Sequence, residues 1–261
     1  MSSNVSIPRG DVLAKLNFFK APQDGSNAVN INVSHGLPER GYTDDTRQVV
    51  IRNLRATNPR WWIRTVMVSL WSRHFLLQLS GTLSMMTLRK VVFFDHNIRR
   101  VNKEAARNPV TRVHIDLTAT SVIQRVRKHL PEGADTLLKG RYRIINIWMP
   151  FNNGPVESCS LAFAPSPSVA DEDIVPIHHK YHNGYTGQTA GVKFNGRQTW
   201  SYLSGMTSDE GFLLHCCDGH GLNAEGARGA RLAHTAFEDP RSRPDAVQRD
   251  SIEVRALVFG Q

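Results

Sequence analysis

The amino-acid sequence predicts a mainly β fold, a double-stranded β-helix (jelly roll) with flanking helices and an N-terminal elaboration. Most of the chain after residue 89 consists of short runs of β-branched, aliphatic and aromatic residues, which favour strands. Clusters of Gly, Pro, Asn and Asp separate these runs and are typical of turns. Only one stretch there has a helical pattern, and many short strands with one helix favour a sandwich, barrel or jelly roll.

The strands are predicted wherever an apolar run lies between two turn clusters. They fall at residues 47–54, 90–96, 112–118, 142–151, 159–165, 199–203, 211–218, 231–237 and 251–259. The helix is predicted at residues 121–130, with Thr120 or Ser121 as its N-cap. A polar residue at that position would satisfy a free backbone N–H of the first turn.

The N-terminal part of the chain differs from the rest in composition. Residues 1–45 are rich in Gly, Pro, Asn and Ser and lack periodicity, so we expect an extended arm or loops there. The sequence therefore predicts a single domain overall, with an N-terminal arm and substrate-side elaboration over residues 1–89 and a β-helix core over residues 90–261.

Charge and cysteine usage exclude several classes of protein. The chain has 32 Lys and Arg against 23 Asp and Glu, but the basic residues are scattered, so we expect no nucleic-acid partner. The three cysteines are odd in number and lack the spacing of a zinc site, which fits a reducing compartment. The first residues lack a secretory signal pattern, and the apolar stretch 75–88 is too short to span a bilayer. We expect a cytoplasmic protein with no membrane partner, and leave a homodimer open.

His114 and Asp116 are the first candidate site residues. They lie two residues apart in an apolar, β-branched stretch. Successive side chains of a strand alternate between its faces, so these two project together and their tips can converge on one point. A neutral imidazole and a carboxylate placed in this way can be two ligands of a metal ion. A hydrogen-bonded pair at a strand end is the alternative interpretation of these two residues alone.

His234 is the best candidate for a third ligand, since it lies on a later predicted strand, 231–237, that a turn follows. Two histidines and one carboxylate on a triangular face leave other positions of an octahedral ion open, which is the arrangement of non-haem Fe(II) oxygenases. His178, His179 and His182 are rival ligands. The Gly, Asn and Tyr residues around them indicate a loop, so we favour a solvated or lid histidine cluster.

Arg249 and Ser251 open the final predicted strand and share one of its faces. The guanidinium group of an arginine can hold a carboxylate through two parallel hydrogen bonds, and a serine hydroxyl can add a third. The pair therefore suits the distal carboxylate of 2-oxoglutarate. Arg255 lies on the same face and is the second candidate for this role. Pairing with Asp250 or Glu253 at the surface is the alternative for either arginine.

Several motifs, taken in order, resemble a known family. They include "VHIDLTATSVIQRVRKHLP", "WSYLSGMTSDEGFLLHCCD", "ARLAHTAFEDP" and "RDSIEVRALVF". Together they resemble the fungal and bacterial hydroxylase/desaturase family, which includes natural-product hydroxylases, desaturases and endoperoxide-forming enzymes. The resemblance runs from about Lys90 to Phe259.

The resemblance implies an Fe(II)- and 2-oxoglutarate-dependent oxygenase that uses dioxygen to oxidise a C–H bond of a small natural product, with ascorbate as the reductant in assays. The family's iron ligands fall on His114, Asp116 and His234, and its arginine-serine pair falls on Arg249 and Ser251. These assignments agree with the residues singled out from strand spacing. They leave open whether the product is hydroxylated, desaturated or an endoperoxide.

Substrate contacts are expected from three places. These are the N-terminal segment, the predicted loop 176–198 acting as a lid, and inward side chains of the strand at 142–151. Asn146 and Phe151 are the inward candidates, with Asn146 beside the cofactors.

The chain departs from the family pattern at three points. Met149 stands between Trp148 and Pro150 where relatives usually carry arginine, and His215 stands where a lysine is common. Residues 58–88 do not resemble the family's acidic segment, and either a diverged substrate lid or a locally altered reading frame would explain this. Two other functions stay open: a cupin-like metal enzyme without 2-oxoglutarate, and a degenerate, non-catalytic binding protein.

Overall fold

The computed structural model of the chain describes residues 10–31, 39–56, 88–101, 107–219 and 231–260. Two antiparallel-rich sheets dominate this part, so the predicted mainly β class is confirmed. The segment 58–88, singled out for its unusual sequence, lies outside the described residues except for its last residue, Leu88. None of the described helices is long and apolar enough to cross a membrane.

In the described part of the chain, the larger sheet has ten strands. In chain order they are β1 Val12–Lys20, β2 Val29–Ile31, β3 Glu39–Arg40, β4 Thr43–Asn53, β6 His114–Ile115, β8 Ser160–Ala164, β9 Ile174–Lys180, β10 Thr186–Val192, β11 Trp200–Tyr202 and β13 Ala233–Phe237. Their order across the sheet is β1-β4-β11-β8-β13-β6-β10-β9-β2-β3. Because β1 and β4 belong to this sheet, the N-terminal part contributes strands to it. The division at residue 89 into an elaboration and a core remains a prediction.

The smaller sheet consists of four described strands: β5 Leu88–Arg100, β7 Tyr142–Pro150, β12 Phe212–Asp218 and β14 Asp250–Gly260. Their order across the sheet is β12-β7-β14-β5. A core of apolar side chains lies between the two sheets. Phe163 of the larger sheet, for example, meets Phe212 of the smaller one edge to face, with ring centroids 5.3 Å apart.

Among the described residues, two α-helices lie directly before β7, namely α1 Ala119–His129 and α2 Ala134–Lys139. The predicted helix is confirmed as α1, but its N-cap is Thr118, whose hydroxyl accepts a hydrogen bond from the Ser121 N–H. Val122 and Val126 on α1 are fully buried in the core between the sheets. The short helix α2 was not predicted from the sequence.

Two expectations about loops were wrong. Residues 12–20 form β1, in which Val12, Ala14, Leu16 and Phe18 are buried while intervening residues are more exposed. The predicted loop 176–198 is mostly the hairpin of β9 and β10, which pair antiparallel from Ile174 opposite Val192 to Lys180 opposite Thr186. In β1 an alternating apolar face outweighs the turn-forming residues nearby. In β9 only Ile177 is buried, so the hairpin depends on pairing with β2 and β6 on either side.

Candidate metal centre

The candidate metal ligands lie on neighbouring strands of the larger sheet. His114 of β6 is the direct cross-strand partner of His234 of β13, and the centroids of their rings are 4.3 Å apart. Asp116 follows the end of β6, since the strand predicted to reach residue 118 ends at Ile115. One ligand atom from each of His114, Asp116 and His234 lies within 4.8 Å of the others. The structure therefore brings together the three side chains selected from the sequence.

Both histidines are oriented in the same way by the backbone. Nδ1 of His114 donates to the carbonyl of Arg112 at 2.8 Å, and Nδ1 of His234 donates to the carbonyl of Leu232 at 3.0 Å. A carbonyl can only accept, so each Nδ1 carries a hydrogen and each Nε2 of a neutral ring has a free lone pair. The hydrogen bond at Nδ1 therefore fixes each ring in the tautomer that leaves Nε2 available to a metal ion.

Both Nε2 atoms face the carboxylate of Asp116. The Nε2 of His114 is 3.5 Å from Oδ1, and the Nε2 of His234 is 3.7 Å from Oδ2. Burial on its own would raise the pKa of Asp116, but the charge of Arg255 together with the two histidines holds it well below its usual value. Burial lowers the pKa of His114, and the nearby His234 adds to this. The site thus offers an anionic carboxylate beside a neutral imidazole ligand at neutral pH.

This donor set fits Fe(II). Two imidazoles and one carboxylate on one side of a point form the facial arrangement that non-haem iron uses, and they leave further positions open. Cys216 lies nearby, with Sγ 3.8 Å from Oδ2 of Asp116. Burial raises the pKa of this thiol well above its usual value.

Two residues of the smaller sheet hold the Asp116 carboxylate. Nδ2 of Asn146 on β7 donates to Oδ2, and Nη2 of Arg255 on β14 is 3.3 Å from Oδ1. Asn146 is fully buried, and its Oδ1 has no partner among the described residues. The sequence placed Asn146 beside the cofactors, and in the structure it contacts a candidate ligand directly. The two sheets therefore meet at this carboxylate.

Arg249 is 2% exposed and has a different environment. Its guanidinium lies over the ring of Trp148 at 5.5 Å, and Nη1 donates to the carbonyl of Cys159. Among the described residues, Nε has no hydrogen-bond partner and no carboxylate lies within salt-bridge distance, although the charges of Glu238 and Glu253 act on the guanidinium from further away. Burial lowers the pKa of Arg249 to about 10. Ser251, two residues along, is also buried.

Cys159 is the one described non-glycine residue with a positive φ, 49°. The carboxylate of Glu238 holds this turn, since it accepts from the Cys159 backbone N–H at 3.3 Å and from the thiol at 2.6 Å. Burial raises the pKa of the thiol to about 12, so the sulfur remains a donor. This turn, which directs a carbonyl at Arg249, had no signal in the sequence.

The rival histidines do not join the metal cluster. His179 on β9 contacts Nδ2 of Asn30 through Nδ1 at 3.2 Å and the Thr189 hydroxyl through Nε2 at 2.8 Å. His178 faces the side chain of Gln188. Phe151, expected to point inward, is 38% exposed, so that expectation was wrong.

The N-terminal strand β1 makes a close contact with β10, the strand that pairs with β6 and His114. Gly191 of β10 is the cross-strand partner of His114. A Cβ atom at Gly191 would lie 2.8 Å from the ring of Phe19, which is closer than two carbon atoms can approach. This position therefore requires glycine, and β1 packs directly beside the metal centre.

Comparison with known proteins gives fungal relatives. The hydroxylase/desaturase poxK of Penicillium oxalicum is 36% identical over 192 residues, which cover 65% of this chain and 59% of that protein. The Fe(II)/2-oxoglutarate-dependent dioxygenase nvfI of Aspergillus novofumigatus is 34% identical over 173 residues, covering 65% and 60%. The chain thus spans less than two thirds of the length of these curated relatives. Their names agree with the family resemblance drawn from the motifs.

A solved structure extends the likeness to nearly the whole chain. The iron and alpha-ketoglutarate-dependent endoperoxidase NvfI superposes with a TM-score of 0.79 at 23% identity, over 97% of this chain and 99% of that one. This likeness confirms the predicted double-stranded β-helix. A family profile also matches residues 79–259. The chain belongs to the family described as the oxidoreductase/YMDC permease-like domain.

Proposed function

We propose that this protein is an Fe(II)- and 2-oxoglutarate-dependent oxygenase that oxidises a C–H bond of a small natural product. The observation that carries the proposal is the convergence of His114, Asp116 and His234, with Nδ1 of both histidines engaged by backbone carbonyls so that both Nε2 atoms face the carboxylate. The names of the fungal relatives support the same chemistry. In this class the bound iron and 2-oxoglutarate supply the oxidising power, as 2-oxoglutarate is converted with dioxygen to succinate and carbon dioxide.

In this proposal the chain contributes binding and orientation. His114 and His234 offer Nε2 to the metal because their Nδ1 hydrogens are engaged by backbone carbonyls. Asp116 supplies the negative charge, and its orientation is fixed before the metal arrives by contacts from Asn146 and Arg255. Prior orientation of this kind reduces the entropy that must be lost on binding.

Arg249 and Ser251 are proposed to bind the distal carboxylate of 2-oxoglutarate. The support is that Arg249 is a buried cation whose direct partners are a carbonyl and an aromatic face, with no carboxylate of the described residues within salt-bridge distance. A buried charge without a counter-ion is unfavourable, so a carboxylate ligand would restore the balance. Arg255, the second candidate, already contacts three carboxylates.

The proposal is tested in two stages. Mn(II), which binds such sites without starting turnover, is titrated into the purified metal-free protein, and 2-oxoglutarate is then titrated into the Mn(II) complex by calorimetry. We expect one Mn(II) per chain and 2-oxoglutarate binding that depends on the metal. Succinate formation with Fe(II), ascorbate and candidate natural products then measures turnover and identifies the oxidised substrate.

His234→Ala is the decisive variant, and His178→Ala on the neighbouring hairpin is its control. Loss of a hydrogen-bond partner of a metal ligand weakens metal binding about 10- to 100-fold. Loss of the ligand itself should weaken Mn(II) binding by more than this. Full metal stoichiometry in His234→Ala would refute the ligand assignment. Metal binding without 2-oxoglutarate binding would instead indicate a cupin-like enzyme, and no metal binding by the unaltered chain would indicate a non-catalytic protein.

A cytoplasmic location and a homodimer are further proposals. All three cysteines are buried and free, which supports a reducing compartment. In the described part of the chain β5 forms an edge of the smaller sheet and exposes Phe93 and Ile98, which supports pairing with a second copy. Light scattering on the purified chain would decide the oligomeric state.

A further inference from the structure

Arg255 occupies a central position in a buried network of charges. It lies on β14, where its cross-strand neighbours are Asp95 of β5 and Asn146 of β7. Nη1 is 3.1 Å from Asp95, while Nη2 is 3.3 Å from Asp116 and 2.8 Å from Glu253. Glu253 is itself 7% exposed. A single guanidinium thus joins the candidate metal carboxylate to two other acids.

The contacts on Asp116 are divided between its two oxygens. Arg255 approaches Oδ1, and Asn146 donates to Oδ2. Held from both sides, the carboxylate cannot rotate freely about the bond to its β-carbon. Asp95 and Glu253 in turn restrain the guanidinium, which as a rigid planar fork can face several acceptors at fixed angles.

We propose that Arg255 is a positioning residue of the metal centre. It fixes the orientation of Asp116, and Asp95 and Glu253 fix Arg255. It takes no part in binding the 2-oxoglutarate carboxylate. The inference rests on the proposed function, because it concerns the same metal site.

Positioning and simple electrostatics predict opposite results when Arg255 is altered. A positive charge near a dication is repulsive, so on charge alone removal of Arg255 should strengthen metal binding. If Arg255 acts by orienting Asp116, its loss should weaken metal binding. Lysine separates the two effects most cleanly, because Arg255→Lys keeps the charge but loses the planar fork.

The experiment compares Arg255→Lys with the unaltered protein by titration with Co(II), whose visible absorption reports ligand geometry. We expect affinity to fall about 10- to 100-fold, the range for loss of an outer partner of a metal ligand, with an altered absorption spectrum. Arg99→Lys is the matched control, since Arg99 lies on adjacent β5 and its guanidinium donates to the carbonyl of Asn108 instead. The 2-oxoglutarate affinity of the metal-loaded Arg255→Lys protein should be unchanged.

A second variant decides the matter if Arg255→Lys does not fold. Asp95→Asn removes an anchor of Arg255 at a side chain that is 40% exposed. We expect a fall in Co(II) affinity of about two- to tenfold, the equivalent of one hydrogen bond. Asp250→Asn controls for lost charge, because this acid on β14 is 37% exposed and pairs with Arg100.

Three outcomes would overturn the inference. These are unchanged Co(II) affinity in a folded Arg255→Lys protein, an Asp95→Asn effect no larger than that of Asp250→Asn, and a selective loss of 2-oxoglutarate binding on altering Arg255. The first two leave the proposed function intact, since the unaltered chain still binds metal. Failure of the unaltered chain to bind Co(II) would overturn both.

Discussion

Two arginines on the same strand, Arg249 at its start and Arg255 within it, have different surroundings. Both are largely buried, with Arg249 the more so. Arg255 contacts Asp95, Asp116 and Glu253, and although burial opposes this, those acids raise its pKa. Arg249 contacts a carbonyl and the face of Trp148, and burial lowers its pKa.

The difference separates two uses of a buried cation. An arginine whose charge is already balanced by acids from the same chain serves to hold those acids in place. An arginine that is buried without a counter-ion is available to an anionic ligand, which supplies the missing charge. In the proposed function, β14 therefore contacts the candidate metal ligand Asp116 through Arg255 and the cosubstrate through Arg249.

The largest effect that tests this comparison is expected from Arg249→Met. Charge-assisted hydrogen bonds contribute about 1.5 to 3 kcal/mol each, and about 1.4 kcal/mol corresponds to a factor of ten. The apparent dissociation constant of 2-oxoglutarate should therefore rise about ten- to a hundredfold or more. Calorimetry on the Mn(II)-loaded protein measures it.

In the same variant, the affinity for Mn(II) should be almost unchanged, in contrast to the affinity for 2-oxoglutarate. Arg249 has no contact with a candidate metal ligand in the described structure, so Mn(II) binding should stay within about twofold. If Arg249→Met instead weakens Mn(II) binding and leaves the 2-oxoglutarate affinity of the metal-saturated protein unchanged, the roles of the two arginines are reversed.

A smaller effect is expected from Trp148→Phe. The guanidinium of Arg249 lies over the ring of Trp148. This ring also stacks on that of Phe212, and the centroids of the two rings are 6.0 Å apart. Phenylalanine keeps most of the packing but is a weaker partner for a cation. The 2-oxoglutarate constant should rise by about two- to fivefold, since such contacts contribute about 0.5 to 1 kcal/mol. A rise of similar size in the 2-oxoglutarate dissociation constant of Arg255→Lys would show that the two arginine sites are coupled.

The smallest effect is expected in the pH dependence of stability, because acid protonates a partly buried histidine while both arginines keep their charge. Burial lowers the pKa of His179 to about 4. An unfolded histidine takes its proton near pH 6.5, so between about pH 6.5 and 4 the unfolded chain binds more protons and the free energy of unfolding falls as pH falls. His179→Gln should reduce this slope in chemical denaturation of the metal-free protein, with His96→Gln, at an exposed position of β5, as the control. An unchanged slope would show that His179 is not protonated on unfolding.

Much of the fold was predictable because short apolar runs between turn-forming residues form strands. The runs at 142–151 and 251–259 became β7 and β14 with boundaries shifted by about one residue. The prediction failed at residues 12–20, where Gly, Pro and Asn nearby obscured a clear alternation that ends at Phe18. It failed again at β9 and β10, because strands rich in His, Gly and Thr depend on neighbouring strands for their burial.

The candidate site was predictable where local geometry decides it. His114 and Asp116 are close in sequence, and His234 lies on a strand that can pair with theirs. The partners of the two arginines were not predictable, since they depend on strand register and on the turn at Cys159. Glu253 illustrates the difficulty, because a charged residue on a strand is usually exposed, whereas here the fold buries it beside Arg255.

The contact between Gly191 and Phe19 has a consequence for how this site can change during evolution or engineering. A side chain at Gly191 would occupy the space of the Phe19 ring, so neither position can be altered freely alone. Among related chains, a larger residue at the first position should occur with a smaller one at the second. A designer who wants to reshape the surroundings of His114 from β10 would have to vary the amino-terminal strand in the same library.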